Sequence, residues 1–229
     1  KLQSGLLKKL EIKQFKDCEL VFTCSEDDEN LGQQMAPDTE FVTVGNGVHT
    51  EYFRPSGAKS RAETPTLLFT GTFGYGPNRD GLKYFVDEIF PLIRKSSPET
   101  EFVFAGYEAQ RVYDELGIDT PGIRCVSSPD DIRPCFEEAW VFVVPLRAGS
   151  GTLLKILEAM SMQCPVVSTQ LGAEGIIHTA GKHLLIANSP PEFANAVLEL
   201  LSDADRREMM GSAASEWVSA RYSWALLCG

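Results

Sequence analysis

Residues 147–169, RAGSGTLLKILEAMSMQCPVVST, gather the side chains best suited to chemistry. Gly149, Ser150, Gly151 and Thr152 stand directly before an apolar helical run. Backbone N–H groups left free at a helix start, together with the positive end of its dipole, attract an anion. Ser150 and Thr152 add hydroxyl donors, and Arg147 adds a charged fork before the loop. Lys155 lies one turn into the helix and Glu158 three residues further on, which places both on roughly one face. A carboxylate there can accept two hydrogen bonds from sugar hydroxyls, as acids do at ribose. A plainer reading competes. Ser or Thr before a helix is commonly an N-cap, and a Lys–Glu pair at i,i+3 on a surface contributes only about 0.2–0.5 kcal/mol. Spacing alone leaves the two readings level. Against the plain one, residues 153–162 are too apolar for an exposed helix, so Glu158 is flanked by core and needs a partner.

The elements that position this segment alternate in type. The opening KLQSGLLKKLEIKQF has helical periodicity, and 19–25 and 41–48 read as strands, the second ending in the Asn46-Gly47 turn signal. Residues 54–65 are polar and read as a linker or exposed loop. Strands are expected at 66–73, 101–106, 123–128, 140–145, 164–169 and 183–187. Helices are expected at 78–96, 109–117 and 129–139, the last with Pro129, Asp130 and Asp131 in its first turn. Three more close the chain at 190–202, 203–213 and 213–222. Strands that are apolar on both faces, alternating with helices, predict an α/β fold: a Rossmann-like, doubly wound parallel sheet. Ligands of such sheets bind beyond the carboxyl ends of the strands. Glycine stands at or near the start of most of those loops, as in GTFGYGPN, GYE, LRAGSGT and TQLGAEG. A backbone approached closely by a ligand favours a residue without a side chain.

The chain has 229 residues, 43% of them hydrophobic, and no apolar run of membrane-spanning length. Its formal net charge of −11 disfavours nucleic acid and anionic membrane surfaces as partners, but not a nucleotide ligand. Six cysteines without a CxxC pair suit a reducing cytoplasm, and three scattered histidines argue against a metal site. The start without methionine reads as a cut piece of a longer protein. Trp217, Tyr222 and Trp224 are either exposed or packed on their own domain, and His178 and His183 read as surface residues.

The segment GSGTLLKILEAMSMQCPVVSTQLGAEGI, with FTGTFGYGPNRDGLKYFVDEIFPLI and FVFAG, resembles retaining glycosyltransferases of the GT-B fold, over about residues 18–226. The resemblance implies one half of a GT-B fold: residues 1–40 as the tail of an N-terminal acceptor domain, and 41–229 as the C-terminal nucleotide-sugar donor domain. By position, Glu158 matches the glutamate that binds the ribose hydroxyls. Gly71 and Thr72 match the strand-end loop that meets the diphosphate, and Gly106 and Tyr107 a loop near the nucleotide. Val126 matches the place where backbone contacts the base, and Gly149, Ser150, Gly151 and Thr152 the loop at the donor sugar and diphosphate. This sequence departs from the family pattern at four places. Ser150 stands where many relatives have a first glutamate, Thr72 for an arginine, roughly Asn78 for a lysine, and Leu153 for an arginine. Arg147, Lys155 and Arg79 remain to balance two phosphates, and Arg147, Lys155 and Glu158 are the expected catalytic groups.

The implied activity is metal-independent, retaining transfer of a sugar from a uridine or guanosine diphosphate sugar to an acceptor hydroxyl, in polysaccharide or glycan synthesis. No cofactor is expected, because the nucleotide sugar is a substrate. The acceptor, a glycan or lipid-linked sugar, belongs to the N-terminal domain. The isolated piece is therefore expected to bind donor and transfer poorly. A cytoplasmic location is expected, with peripheral placement at the inner membrane through the full-length protein left open. The alternatives are a non-catalytic nucleotide-sugar binding domain and a sugar-nucleotide epimerase on the same fold. A dinucleotide-dependent dehydrogenase is disfavoured, because no G-x-G-x-x-G follows the first strand.

Overall fold

The computed structural model describes residues 2–57, 61–149 and 153–227. Two compact units divide the chain at Gly47 and Val48. Residues 40–43 form a strand of the first unit.

The first unit holds α1 (Leu2–Lys16), β1 (Leu20–Thr23), α2 (Glu26–Met35) and β2 (Glu40–Thr43), with β1 and β2 paired in parallel from Leu20↔Glu40 to Thr23↔Thr43. Helix α2, absent from the sequence reading, starts where the Ser25 hydroxyl accepts the Asp28 N–H. Gly32 lets α2 approach β2 closely: a Cβ there would lie 2.3 Å from the Phe41 ring.

The second unit is a six-stranded sheet with every described pairing parallel, in the order β5-β4-β3-β6-β7-β8. Its strands are β3 (Thr66–Thr70), β4 (Glu101–Gly106), β5 (Ile123–Ser127), β6 (Val141–Val144), β7 (Val166–Ser168) and β8 (Leu185–Ile186). The helices are α3 (Gly76–Tyr84), α4 (Phe90–Ser96), α5 (Ala109–Glu115), α6 (Arg133–Glu138), α7 (Leu154–Ser161), α8 (Pro190–Ser202), α9 (Ala204–Arg221) and α10 (Trp224–Leu227). Strands β3, β6 and β7 are buried at every residue, as a parallel sheet covered on both faces requires. This is the Rossmann-like α/β sheet that the alternation predicts. The core is rich in aromatic contacts, such as Phe73 edge-on to both Phe69 and Phe104 at 5.4 and 5.0 Å between centroids.

Several boundaries differ from expectation for physical reasons. The helix expected over 78–96 is interrupted by a π-helical turn, Phe85–Ile89. Helix α6 starts at Arg133, so Asp130 and Asp131 precede it. Asp131 folds back to accept the Arg133 backbone N–H at 3.0 Å and its guanidinium Nη2 at 2.7 Å. The two helices expected over 203–222 are one, α9. Gly211 does not break it, and instead admits the neighbouring chain, since a Cβ there would lie 2.4 Å from the Gln163 carbonyl oxygen. His183 is buried rather than on the surface, stacked on Trp217 at 4.6 Å between centroids. The Trp217 indole donates to the Ile177 carbonyl and the Tyr222 hydroxyl accepts the Ile177 N–H, so both pack on their own unit. Trp224 is 39% exposed. Among the described residues no helix is long and apolar enough to cross a membrane.

Candidate functional site

Strands β3 and β6 are neighbours, but the chain leaves β3 toward β4 on one side and β6 toward β7 on the other. Their carboxyl ends flank the point where strand order reverses, which is where open α/β sheets bind ligands. A cleft of about 470 Å³ opens there, lined by Thr70, Gly71, Gly106, Ser128, Lys155 and Glu158 among others. Larger depressions lie elsewhere, about 550 Å³ between Arg54 and Arg133 and about 590 Å³ along Leu6, Leu7 and Leu10. Neither combines strand-end glycines with a half-buried ionisable pair.

The cleft is assembled from loops tied together by their backbones. The Gly71 N–H donates to the Ala105 carbonyl at 3.1 Å, the Phe73 N–H to Tyr107 at 3.0 Å, and the Ser128 N–H to Gly106 at 2.9 Å. The loops touch so closely that a Cβ on Gly106 would lie 2.0 Å from the Gly71 carbonyl oxygen. Gly106 also has φ 143°, a conformation L side chains avoid. A Cβ on Gly71 would lie 2.9 Å from both the Asn78 Nδ2 and the Lys155 Nζ. Backbone packing thus requires a side-chain-free residue at Gly106, whereas at Gly71 a Cβ would crowd the side-chain ends of Asn78 and Lys155.

Lys155 and Glu158 supply the charge. The Lys155 ammonium donates to Asn78 Oδ1 at 2.8 Å and lies 4.8 Å from the Phe69 ring centroid. Asn78, 7% exposed, donates in turn from Nδ2 to the Thr72 carbonyl at 2.9 Å. Burial pushes the Lys155 ammonium down from the ordinary 10.5 to about 8, against the opposing pull of Glu158. Burial likewise pushes the Glu158 carboxyl up, with Lys155 acting to lower it. Two desolvated groups of opposite sign therefore share the cleft. They are not a solvated surface pair, and Lys155 gives its hydrogen bond to Asn78. The N-cap of α7 is Leu153, which provides no side-chain cap, and none caps α3 either.

The structure brings together Gly71, Thr72, Gly106, Tyr107, Lys155 and Glu158 at one cleft. It places other expected residues elsewhere. Arg147 turns to α3, where Nη2 and Nε meet Asp80 at 2.8 and 3.1 Å and the guanidinium covers Tyr84 at 4.2 Å from the ring centroid. Arg79 is bound to Glu115. Val126 pairs in register with Ala105 and packs on the core, two residues short of Ser128, which does line the cleft. Gly149 is exposed, with φ 122°. Ser150, Gly151 and Thr152 lie outside the described residues. Ser128 and Pro129 fall in the strand-end loop 126–130 that the sequence points to, whereas sequence reasoning missed Thr70 and Ile132 as lining residues and Asn78 as the partner of Lys155. One signal pointed to Asn78: asparagine is a poor helix former, and here it stands in the first turn after a strand-end loop.

The Glycosyl transferases group 1 family model matches residues 64–203. A GDP-mannose-dependent alpha-(1-6)-phosphatidylinositol monomannoside mannosyltransferase of Mycobacterium tuberculosis is 36% identical, over 91% of this chain and 59% of its own length. An uncharacterized 44.6 kDa protein in the cps region of Klebsiella pneumoniae is 30% identical, over 58% of this chain and 36% of its own. The chain thus spans less than two thirds of these curated relatives. Among solved structures, sucrose-phosphate synthase from Thermosynechococcus elongatus superposes with a TM-score of 0.77 at 18% identity, covering 96% of this chain and 58% of that one. Anabaena HepE in complex with UDP and glucose gives 0.77 at 14% identity, covering 96% and 64%. The family model spans the sheet, the cleft and the Lys155–Glu158 helix alike, and the chain belongs to the group 1 glycosyl transferases.

Proposed function

We propose that the cleft binds a nucleoside diphosphate sugar for transfer of its sugar, with retention, to an acceptor hydroxyl in glycan or polysaccharide synthesis. The half-buried, desolvated Lys155–Glu158 pair at the strand-order reversal is the observation on which this rests. Glu158 accepts two ribose hydroxyls, which is what a desolvated carboxylate facing a cleft is suited to do. Lys155 and the uncapped N-terminus of α3 meet the diphosphate, where negative charge grows as the glycosidic bond breaks. The sugar passes through an oxocarbenium-like state, and no metal is needed if these groups balance the leaving charge. Gly71 and Gly106 leave room for the phosphates to approach backbone. The relative's GDP-mannose and the neighbour's UDP keep both bases in view.

Acceptor recognition belongs, on this reading, to the share of the relatives' length that this chain does not span. The chain then binds donor and transfers poorly alone. A second reading, a non-catalytic nucleotide-sugar binding domain, draws on a specific observation. Arg147 and Arg79 are engaged with Asp80 and Glu115, which leaves Lys155 as the cation lining the cleft among the described residues.

Calorimetric titration with UDP and with GDP tests the site. One of them should bind, and Glu158→Ala should weaken that binding at least about tenfold, because charged hydrogen bonds contribute roughly 1.5–3 kcal/mol each. Binding to neither, or an unchanged affinity in the variant, overturns the assignment. Hydrolysis of the matching nucleotide sugar separates an enzyme from a binding domain.

A further inference from the structure

Three elements interlock around one amide. Asn78, in the first turn of α3, holds the Thr72 carbonyl of the β3 loop with its Nδ2 and the Lys155 ammonium of α7 with its Oδ1. The bond to Thr72 fixes which way the amide points, since a carbonyl accepts only from the NH₂ end. Gly71 closes the arrangement, for a Cβ there would strike both Asn78 and Lys155. The ammonium has three N–H donors, and Asn78 uses one.

Among the described residues, the other groups that face Lys155 are few. Glu158 is on its own helix, and the Phe69 ring is on β3. The neighbouring arginines have carboxylate partners of their own, Asp80 for Arg147 and Glu115 for Arg79. The choice of an amide at position 78 has a physical consequence. A second carboxylate there, beside Glu158, would pair directly with the lysine, and a second ammonium would repel it. A neutral acceptor does neither. It fixes the direction of the charge and leaves the charge available.

Resting on the nucleotide reading above, we propose that Asn78 is a positioning residue. It aims the Lys155 ammonium into the cleft toward the diphosphate without adding a second carboxylate beside Glu158, and couples it to the Thr72 loop. Lys155 touches the ligand and Asn78 acts through it.

The test compares wild type, Asn78→Asp and Asn78→Ser. Asp is close to isosteric and adds the second carboxylate, while Ser shortens the contact and stands in if Asp does not fold. Two readouts are taken. The first is calorimetric affinity for UDP and GDP at neutral pH. The second is the titration of Lys155, followed by NMR of carbon-labelled lysine and assigned with Lys155→Met. In Asn78→Asp, affinity for the nucleotide that wild type binds should fall about tenfold or more, as expected when a charged hydrogen bond to phosphate is lost. The proton affinity of Lys155 should rise by a similar factor. In Asn78→Ser, nucleotide affinity should fall while the lysine keeps its full charge at neutral pH. A purely structural role would lower stability and leave the nucleotide affinity of the folded variants unchanged. If wild type binds nucleotide and Asn78→Asp matches it, or if Lys155 titrates identically in both, the positioning role is overturned and the nucleotide site stands. If wild type binds neither nucleotide, the nucleotide reading fails and this role fails with it.

Discussion

Replacing Lys155 with methionine removes an ammonium that the fold holds partly desolvated, and the consequence is a pH-dependent stability. In the folded chain the group titrates near 8, against an ordinary value of 10.5 in the unfolded chain. At pH 7 both states are protonated, so the full cost of burying the charge is present, about 3 kcal/mol for a shift of that size. Between pH 8 and 10.5 the folded state releases its proton while the unfolded state keeps it. The unfolded state then binds more protons, and stability rises with pH. By pH 10 most of the cost, roughly 2.5 kcal/mol, is relieved. Methionine has similar length and no charge, so its variant lacks this term. The gap at pH 7 also contains the lost hydrogen bond, which leaves Asn78 Oδ1 unpaired at a cost of about 1–3 kcal/mol. The change in the gap with pH does not contain it. Urea unfolding of wild type and Lys155→Met at half-unit steps from pH 7 to 10 measures this difference, and subtraction removes titrations common to both. Wild type should gain about 2–3 kcal/mol on the variant across that range. A gap that stays constant, or moves the other way, would falsify the claim that Lys155 is held desolvated.

Two further outcomes follow from the geometry. Gly106→Ala puts a Cβ 2.0 Å from the Gly71 carbonyl oxygen at φ 143°, and overpacking with backbone strain should cost about 3 kcal/mol or more. The melting temperature should drop by roughly 6–12 °C, and a shift under about 2 °C in a thermal scan would mean that the β3 and β4 loops are not in contact. Arg147→Ala removes an ion pair whose side chains are 47% and 43% exposed. It should cost under about 1 kcal/mol and leave UDP or GDP affinity within about threefold, under 1 kcal/mol. A tenfold loss of affinity in calorimetry would instead return Arg147 to the diphosphate.

The sheet was legible because burial on both faces writes itself into composition. TLLFT, VFVV and VVS are almost wholly apolar, and a parallel strand covered by helices can be little else. The loops after those strands followed directly, and with them Gly71, Gly106 and the apolar setting of Glu158. Local patterns failed where one residue type serves two ends. Gly211 carries a break signal but stands inside α9, because what it answers is the nearness of Gln163. Asp130 and Asp131 resemble a helix start, yet Asp131 satisfies Arg133 from outside α6. Helix α2 carried its signal in Ser25 and passed unread.

The sequence by itself determined the layered sheet, the end of it at which a ligand can sit, and the presence of a lysine and a carboxylate one helical turn apart. Tertiary structure alone decided how the charges are shared. Arg147 meets Asp80 across 67 positions of chain, and Lys155 meets Asn78 across 77. Periodicity reports which face of an element is buried, and it carries nothing about which distant polar group lies opposite. That choice is made when the loops of β3, β4 and β5 and the helix α7 converge. One arginine is then held by a carboxylate and one lysine by a neutral amide, which is the difference between a spent charge and an available one.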